Sequence, residues 1–178
     1  MGKEPILFVD FDGVLHRGGV YYQNSTGVIK TELQLYALFE FEPLLAALLA
    51  AHPDVKIVLS TSWVHQAPDG LRLAMDQLSS GLRARVIGST FHSSGLPADV
   101  FAKIQRGEQV MQYVRKHNIG SDRWLALDDR RDGFDAVQEN LLQTYPYAGI
   151  ADPGVLRQLL SQLDLWKMQD KKLAARTA

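Results

Sequence analysis

Three short runs, apolar but for one lysine, limit what this chain can fold into. Pro5–Val9, Val55–Leu59 and Trp124–Leu127 are too short for buried helices and lack the alternation of half-exposed strands. Each therefore predicts a strand covered on both faces, as in a parallel sheet. Helical patterns lie between them. Glu42-Pro43 opens one helix, with Leu44, Leu45, Leu48 and Leu49 as its apolar stripe, and His52-Pro53-Asp54 stops it. Asp69 to Leu78 carries a second pattern, ended by Ser79-Ser80-Gly81. A third helix starts at Asp99 or Gln105 and runs to Lys116 with Val110, Met111 and Val114 inward, before Asn118-Ile119-Gly120 ends it. Asp152-Pro153 supplies an N-cap and first-turn proline for a final helix reaching Leu165. Alternating strands and helices imply an α/β domain with a mainly parallel sheet and helices on both faces.

The remaining segments are shorter. Arg85–Ile87 and Leu141–Tyr145 predict further strands, and Ser89–Pro97 reads as loop, being rich in Ser, Gly and Pro. Val20-Tyr21-Tyr22 and Val28-Ile29, around a turn at Asn24-Ser25-Thr26-Gly27, predict a small β-hairpin. Residues 1–166 form one domain on this reading, and residues 167–178 form a polar C-terminal tail that frays. A net charge of −1 gives no global attraction to nucleic acid or an anionic membrane. The lack of cysteine excludes disulfides, thiolate metal sites and a thiol nucleophile. No apolar stretch is long enough to span a membrane, and no basic-then-apolar leader opens the chain, so a cytoplasmic location is the default expectation.

Ligands of open α/β sheets bind beyond the carboxyl ends of the strands. The apolar runs end there in Asp10-Phe11-Asp12-Gly13, in Ser60-Thr61-Ser62-Trp63 and in Asp128-Asp129. Carboxylates gathered in one small volume repel each other and lose hydration, a state that a divalent cation relieves. Each element also has a plainer reading. Asp128-Asp129 fits a solvated turn paired with Arg130 and Arg131; Ser60 fits a cap, Arg106 a surface helix residue and Trp63 a packing residue. Together those readings require several polar features to meet at one sheet rim by accident.

Asp10-Phe11-Asp12-Gly13-Val14-Leu15 resembles the first motif of the haloacid dehalogenase (HAD) superfamily of phosphohydrolases. Ile57-Val58-Leu59-Ser60 resembles its second motif, and Leu125-Ala126-Leu127-Asp128-Asp129 its fourth. The Ser60-Thr61-Ser62-Trp63 run and the Trp124-led fourth motif are most similar to HAD domains of RNA-repair proteins. The resemblance implies a three-layer, Rossmann-like domain. The residues agree with it: Asp10, fixed at a strand end, suits the nucleophile that forms an acyl phosphate. Asp12 suits the general acid and base, carried over the site by a turn at Gly13. Magnesium is the expected ion, bound by Asp10, by the Asp12 backbone carbonyl (as the family implies) and by Asp129, with Asp128 as the alternative direct ligand. Asp132 is either a further ligand or a helix N-cap before Phe134. Ser60 would donate to a phosphate oxygen, and Arg106 or Lys103 would supply the third-motif cation. Arg106 is favoured because Arg106-Gly107-Glu108 resembles the RNA-repair group.

The five histidines lack zinc-site spacing; His16 and His65 lie nearest the predicted rim, and Tyr21 and Tyr22 line or cover its mouth. Neither inter-motif segment holds a folded cap, so the hairpin is the only expected flap. An open site suits a bulky phosphate ester. The expected function is a magnesium-dependent phosphatase that forms an aspartyl phosphate, acting on a nucleotide or on a nucleic-acid terminal phosphate. The alternative is a non-catalytic phosphate-sensing or partner-binding module, against which the retention of both Asp10 and Asp12 argues.

Overall fold

The computed structural model describes residues 4–23, 28–31 and 36–177, with the backbone alone for 20–23, 28–31 and 177. In chain order come β1 (Ile6–Val9), β2 (Val20–Gln23), β3 (Val28–Thr31), α1 (Glu42–Ala50), β4 (Lys56–Leu59), α2 (Trp63–Gln66), α3 (Gly70–Asp76) and α4 (Ser80–Arg83). Then follow β5 (Val86–Ser89), α5 (Thr90–Ser94), α6 (Ala98–Phe101), α7 (Arg106–Lys116), β6 (Trp124–Asp128), β7 (Leu141–Gln143) and α8 (Pro153–Thr177).

Five strands form one sheet in the order β5-β4-β1-β6-β7, and every pairing in it is parallel. The central strand β1 is buried on both faces, which is why its sequence is an unbroken apolar run. Leu7 and Val9 face a core built with Leu45 and Leu49 of α1 and Val155, Leu159, Leu163 and Trp166 of α8. Ile6 and Phe8 face the opposite layer, where Val110, Tyr113 and Val114 of α7 pack. Helices thus cover both faces, as the alternation of patterns requires. β2 and β3 pair antiparallel as the expected hairpin. Its turn at Asn24–Gly27 lies outside the described residues, as do the side chains of Tyr21 and Tyr22.

Two local expectations need correction. Residues 90–94, read as loop, form α5, because the Ser89 hydroxyl accepts the His92 N–H and Gly95 (φ 71°) closes the other end. Of the two starts open to the third helix, the one at Gln105 holds: α7 begins at Arg106 with Gln105 as its N-cap, and Asp99 lies in a separate short helix, α6. The segment read as a fraying tail is helical to Thr177. Its first part is tied down by the Trp166 indole N–H, which donates to the Asp122 carbonyl (2.8 Å), and by Arg123–Asp170 (2.8 Å).

One close approach fixes the start of α7. A Cβ on Gly107 would lie inside the contact distance of the Gly133 carbonyl carbon and oxygen, and the Gly107 N–H donates to the Asp132 carbonyl at 2.8 Å. Gly107→Ala is therefore expected to force α7 away from the loop after β6, costing on the order of 3 kcal/mol. Urea denaturation measures this; an unchanged midpoint would show that the loop yields freely.

Candidate active site

The sheet register assembles the rim. Val9 pairs with Leu59 on one side and Leu127 on the other, so Asp10, Ser60 and Asp128 stand side by side one step further on. The Asp10 N–H donates to the Leu127 carbonyl (3.1 Å) and the Ser60 N–H to the Val9 carbonyl (2.9 Å), carrying the ladder to the edge of the site. At Gly13 the chain turns with φ 69°, and an added Cβ would sit 2.7 Å from Asp129 Oδ2. The two acidic loops are packed against each other with no room for a side chain between them.

Asp10 and Asp128 are buried, and so is the cation between them. Arg106 Nη2 donates to Asp10 Oδ2 at 3.3 Å, and Arg106 Nε lies 3.2 Å from Asp128 Oδ2. The second contact is an ion pair out of hydrogen-bond alignment, which leaves Asp128 Oδ2 buried and without a hydrogen bond. Asp128 is only 1% exposed, so the reading of Asp128 as a solvated turn residue fails. Arg130 pairs instead with Asp132 at 2.8 Å. Of the two candidate bases, Arg106 reaches the acids, whereas Lys103 lies exposed on the turn before α7.

Asp12 stands at the edge of this cluster, its carboxylate gripped from two sides. The Trp63 indole Nε1–H donates to Asp12 Oδ2 (2.9 Å), and His16 Nε2 lies 3.2 Å from Asp12 Oδ1. The Trp63 contact was not legible in the sequence, where tryptophan after the second motif reads as packing. His16 is itself buried between Phe39 and Trp63. His65 packs edge-on against Phe91 and Phe101, and burial, then the Arg106 charge, lowers its pKa. The Ser60 hydroxyl is buried and has no hydrogen-bond partner among the described residues. Asp132 caps no helix at Phe134: its Oδ2 accepts the Arg106 N–H (2.9 Å) at the start of α7, and it lies outside the metal-competent cluster.

The electrostatics are those of an anion cage with too little positive charge. Burial pushes Asp10 up to about 6; Arg106 opposes this, and Asp12 and Asp129 add to it. Burial, then the neighbouring Asp10, drives Asp128 well above the ordinary carboxylate range. Asp129 rises too, by burial first and Asp12 next, with Arg106 opposing. One oxygen from each of Asp10, Asp128 and Asp129 lies within 4.8 Å of the others. With the orphaned Asp128 Oδ2, that donor set fits a hard divalent cation such as magnesium.

A stability test follows. Between the unfolded carboxylate pKa near 3.8 and the folded value near 6, the folded protein binds more protons than the unfolded chain. Stability of the metal-free protein should therefore fall as pH rises through that window. Magnesium should restore it at pH ~7.5 and do little at pH ~5, by roughly 2–4 °C of melting temperature per kcal/mol. Thermal melts with magnesium or EDTA at both pH values decide the matter, and a gain equal at both pH values would contradict the cage.

Residues 6–155 match the family described as the HAD domain in Swiss Army Knife RNA repair proteins. No curated protein matches the chain. Among solved structures, the crystal structure of a hypothetical protein from Xanthomonas campestris aligns over 98% of this chain and 89% of that one, at 14% identity and a TM-score of 0.47.

Proposed function

The chain belongs to the family of HAD domains found in Swiss Army Knife RNA repair proteins, and from that premise we propose that it is a magnesium-dependent phosphohydrolase acting through an aspartyl phosphate on nucleotide or nucleic-acid terminal phosphates. The observation that carries the reading is the convergence of Asp10, Asp128 and Asp129 on one edge of the sheet, with Arg106 buried among them.

The chemistry follows from positions. Asp10, anchored by the Phe11 N–H on Oδ1 (2.7 Å) and by Arg106 on Oδ2, attacks phosphorus; the bond to the leaving oxygen breaks as the Asp10–phosphorus bond forms. Asp12, oriented by Trp63 and His16, gives its proton to the leaving oxygen. It then takes a proton from the water that displaces Asp10 from phosphorus and frees inorganic phosphate. The Ser60 hydroxyl donates to a phosphoryl oxygen, and Arg106 balances the charge gathered around Asp10. Asp10, Asp128 and Asp129 would hold magnesium, which when bound neutralises nucleophile and phosphoryl oxygen and so lowers the repulsion between them.

Two facts support a nucleic-acid end over a small metabolite. The family is defined in RNA repair proteins. Among the described residues, the only elements between β1 and α1 are the strands of a hairpin, so no folded cap restricts the size of the ester there.

Phosphate release is measured from p-nitrophenyl phosphate, from 3′- and 5′-phosphorylated oligonucleotides and from sugar phosphates, with magnesium and with EDTA. Magnesium-dependent release that favours an oligonucleotide is expected. Equal rates on every ester would remove the nucleic-acid preference, and no release from any of them would favour a phosphate-binding module. In single-turnover release of the leaving group, which precedes the attack of water, Asp12→Asn should slow esters with alkyl leaving groups by about a hundredfold and p-nitrophenyl phosphate, whose leaving oxygen needs no proton, far less. Equal losses on both would assign Asp12 another role.

A further inference from the structure

A cleft of about 230 Å³ opens beside the acidic cluster, lined among others by Asp129, His16, Arg17, Tyr36, Pro146 and Tyr147. We propose that this cleft is a nucleoside subsite that receives the base of one terminal nucleotide against the Arg17 guanidinium and the Tyr147 ring. The assignment rests on the hydrolase reading above for the side on which the leaving group sits.

The cleft starts where the leaving oxygen must be. Asp129 belongs to the carboxylate cluster, and His16 holds Asp12, the acid that protonates the leaving group. A group extending from phosphorus toward Asp12 therefore passes into this opening.

Its walls suit a flat ring. The Arg17 guanidinium lies 4.1 Å from the centroid of the Tyr36 ring, and its Nε donates to Glu40 at 2.9 Å. A planar cation held in this way is a stacking platform for a base. Because Glu40 already balances its charge, the cleft is a poorer site for a second phosphate than for a neutral base. Tyr147 is 70% exposed, so packing does not account for it. Its backbone is nonetheless fixed. The Ala148 and Gly149 N–H groups donate to the Tyr145 carbonyl (2.9 and 2.8 Å), Gly18 N–H donates to Pro146 (2.7 Å), and Ile150 N–H to Val14 (3.0 Å). An exposed aromatic ring on a rigid turn at the mouth of a reaction site is pre-organised for stacking. The volume lies below the ~300–1,000 Å³ of drug-sized ligand pockets, which matches one ring-bearing unit and not a stretch of chain.

The test compares adenosine 3′- and 5′-phosphate with ribose 5-phosphate in wild type, Tyr147→Ala and Tyr147→Phe. Wild type should favour the better adenosine phosphate by roughly tenfold or more in kcat/KM. Tyr147→Ala should erase that preference by raising KM for the nucleotide, leaving kcat and the ribose phosphate reaction within about twofold, and Tyr147→Phe should retain it. Equal wild-type kcat/KM for both esters, or equal losses on both in Tyr147→Ala, would overturn the subsite. Saturation-transfer NMR with adenosine alone separates the two claims, because it needs no catalysis. Contact with adenosine that Tyr147→Ala weakens supports the cleft even if no ester is hydrolysed. No adenosine contact in wild type overturns it even if p-nitrophenyl phosphate is hydrolysed.

Discussion

Replacing Asp10 with asparagine is expected to cut magnesium-dependent phosphate release by about a thousandfold or more while making the metal-free protein more stable at neutral pH. The two effects share one cause. Asp10 is buried, its carboxyl is pushed up to about 6 by that burial, and only Arg106 opposes the effect strongly. Holding it ionised at pH ~7 therefore works against folding. Asparagine keeps the shape and an oxygen for the Phe11 N–H, yet it cannot form an acyl phosphate. The stability gain should be largest at pH ~7–8 and vanish near pH ~4, where aspartate in both folded and unfolded chains takes up its proton. Phosphate release with thermal melts at both pH values checks the pair of effects. Activity within about tenfold of wild type would remove Asp10 as the nucleophile.

Arg106→Ala is the second large effect, and it runs the other way on stability. Removing the guanidinium leaves Asp10 and Asp128 buried without their cation, and breaking such a pair costs about 3–5 kcal/mol. Activity should fall by about a hundredfold or more, because charge on the nucleophile and the phosphoryl oxygens loses its fixed partner. Arg106→Lys should recover part of the stability but less of the activity, since one ammonium cannot reach both Asp10 and Asp128 as the fork does. Saturating magnesium should restore some of the stability of Arg106→Ala by replacing the missing positive charge. Urea denaturation of the three proteins with and without magnesium measures each point. A loss below about 1 kcal/mol would place Arg106 outside the acid cage.

Much of this arrangement was legible in the chain, because covered strands write themselves as almost wholly apolar runs. The polar residue after each run marks the sheet edge, so the order of residues alone puts Asp10, Ser60 and Asp128 on one rim, as the register has them. The Arg106-Gly107-Glu108 resemblance favours Arg106 over Lys103, but the reach of Arg106 to the acids is not legible. It depends on the turn between α6 and α7 and on the Gly107–Gly133 contact, where backbones separated in sequence touch. The Trp63–Asp12 hydrogen bond spans 51 positions, and no local pattern announces an indole N–H aimed at a carboxylate. α5 has five residues, too few to show helical periodicity, and only its capping Ser89 and its closing Gly95 betray it. The end of α8 is polar and reads as loose. What helps to hold it is a buried Trp166 and an ion pair to Arg123, contacts that composition does not record. Asp132 is a related case: the sequence leaves it as a metal ligand or a cap before Phe134, and it meets the start of α7 instead, because its partner, the Arg106 N–H, lies 26 positions upstream.

The central claim is that Asp10 itself becomes phosphorylated. Acid-quenched single-turnover reactions with p-nitrophenyl phosphate, followed by peptide mapping, measure this directly. The account predicts one phosphoryl group on the peptide that carries Asp10, present with magnesium and absent in Asp10→Asn. A phosphoryl group on another residue, or complete turnover with the Asp10 peptide unmodified at every quench time, would contradict it.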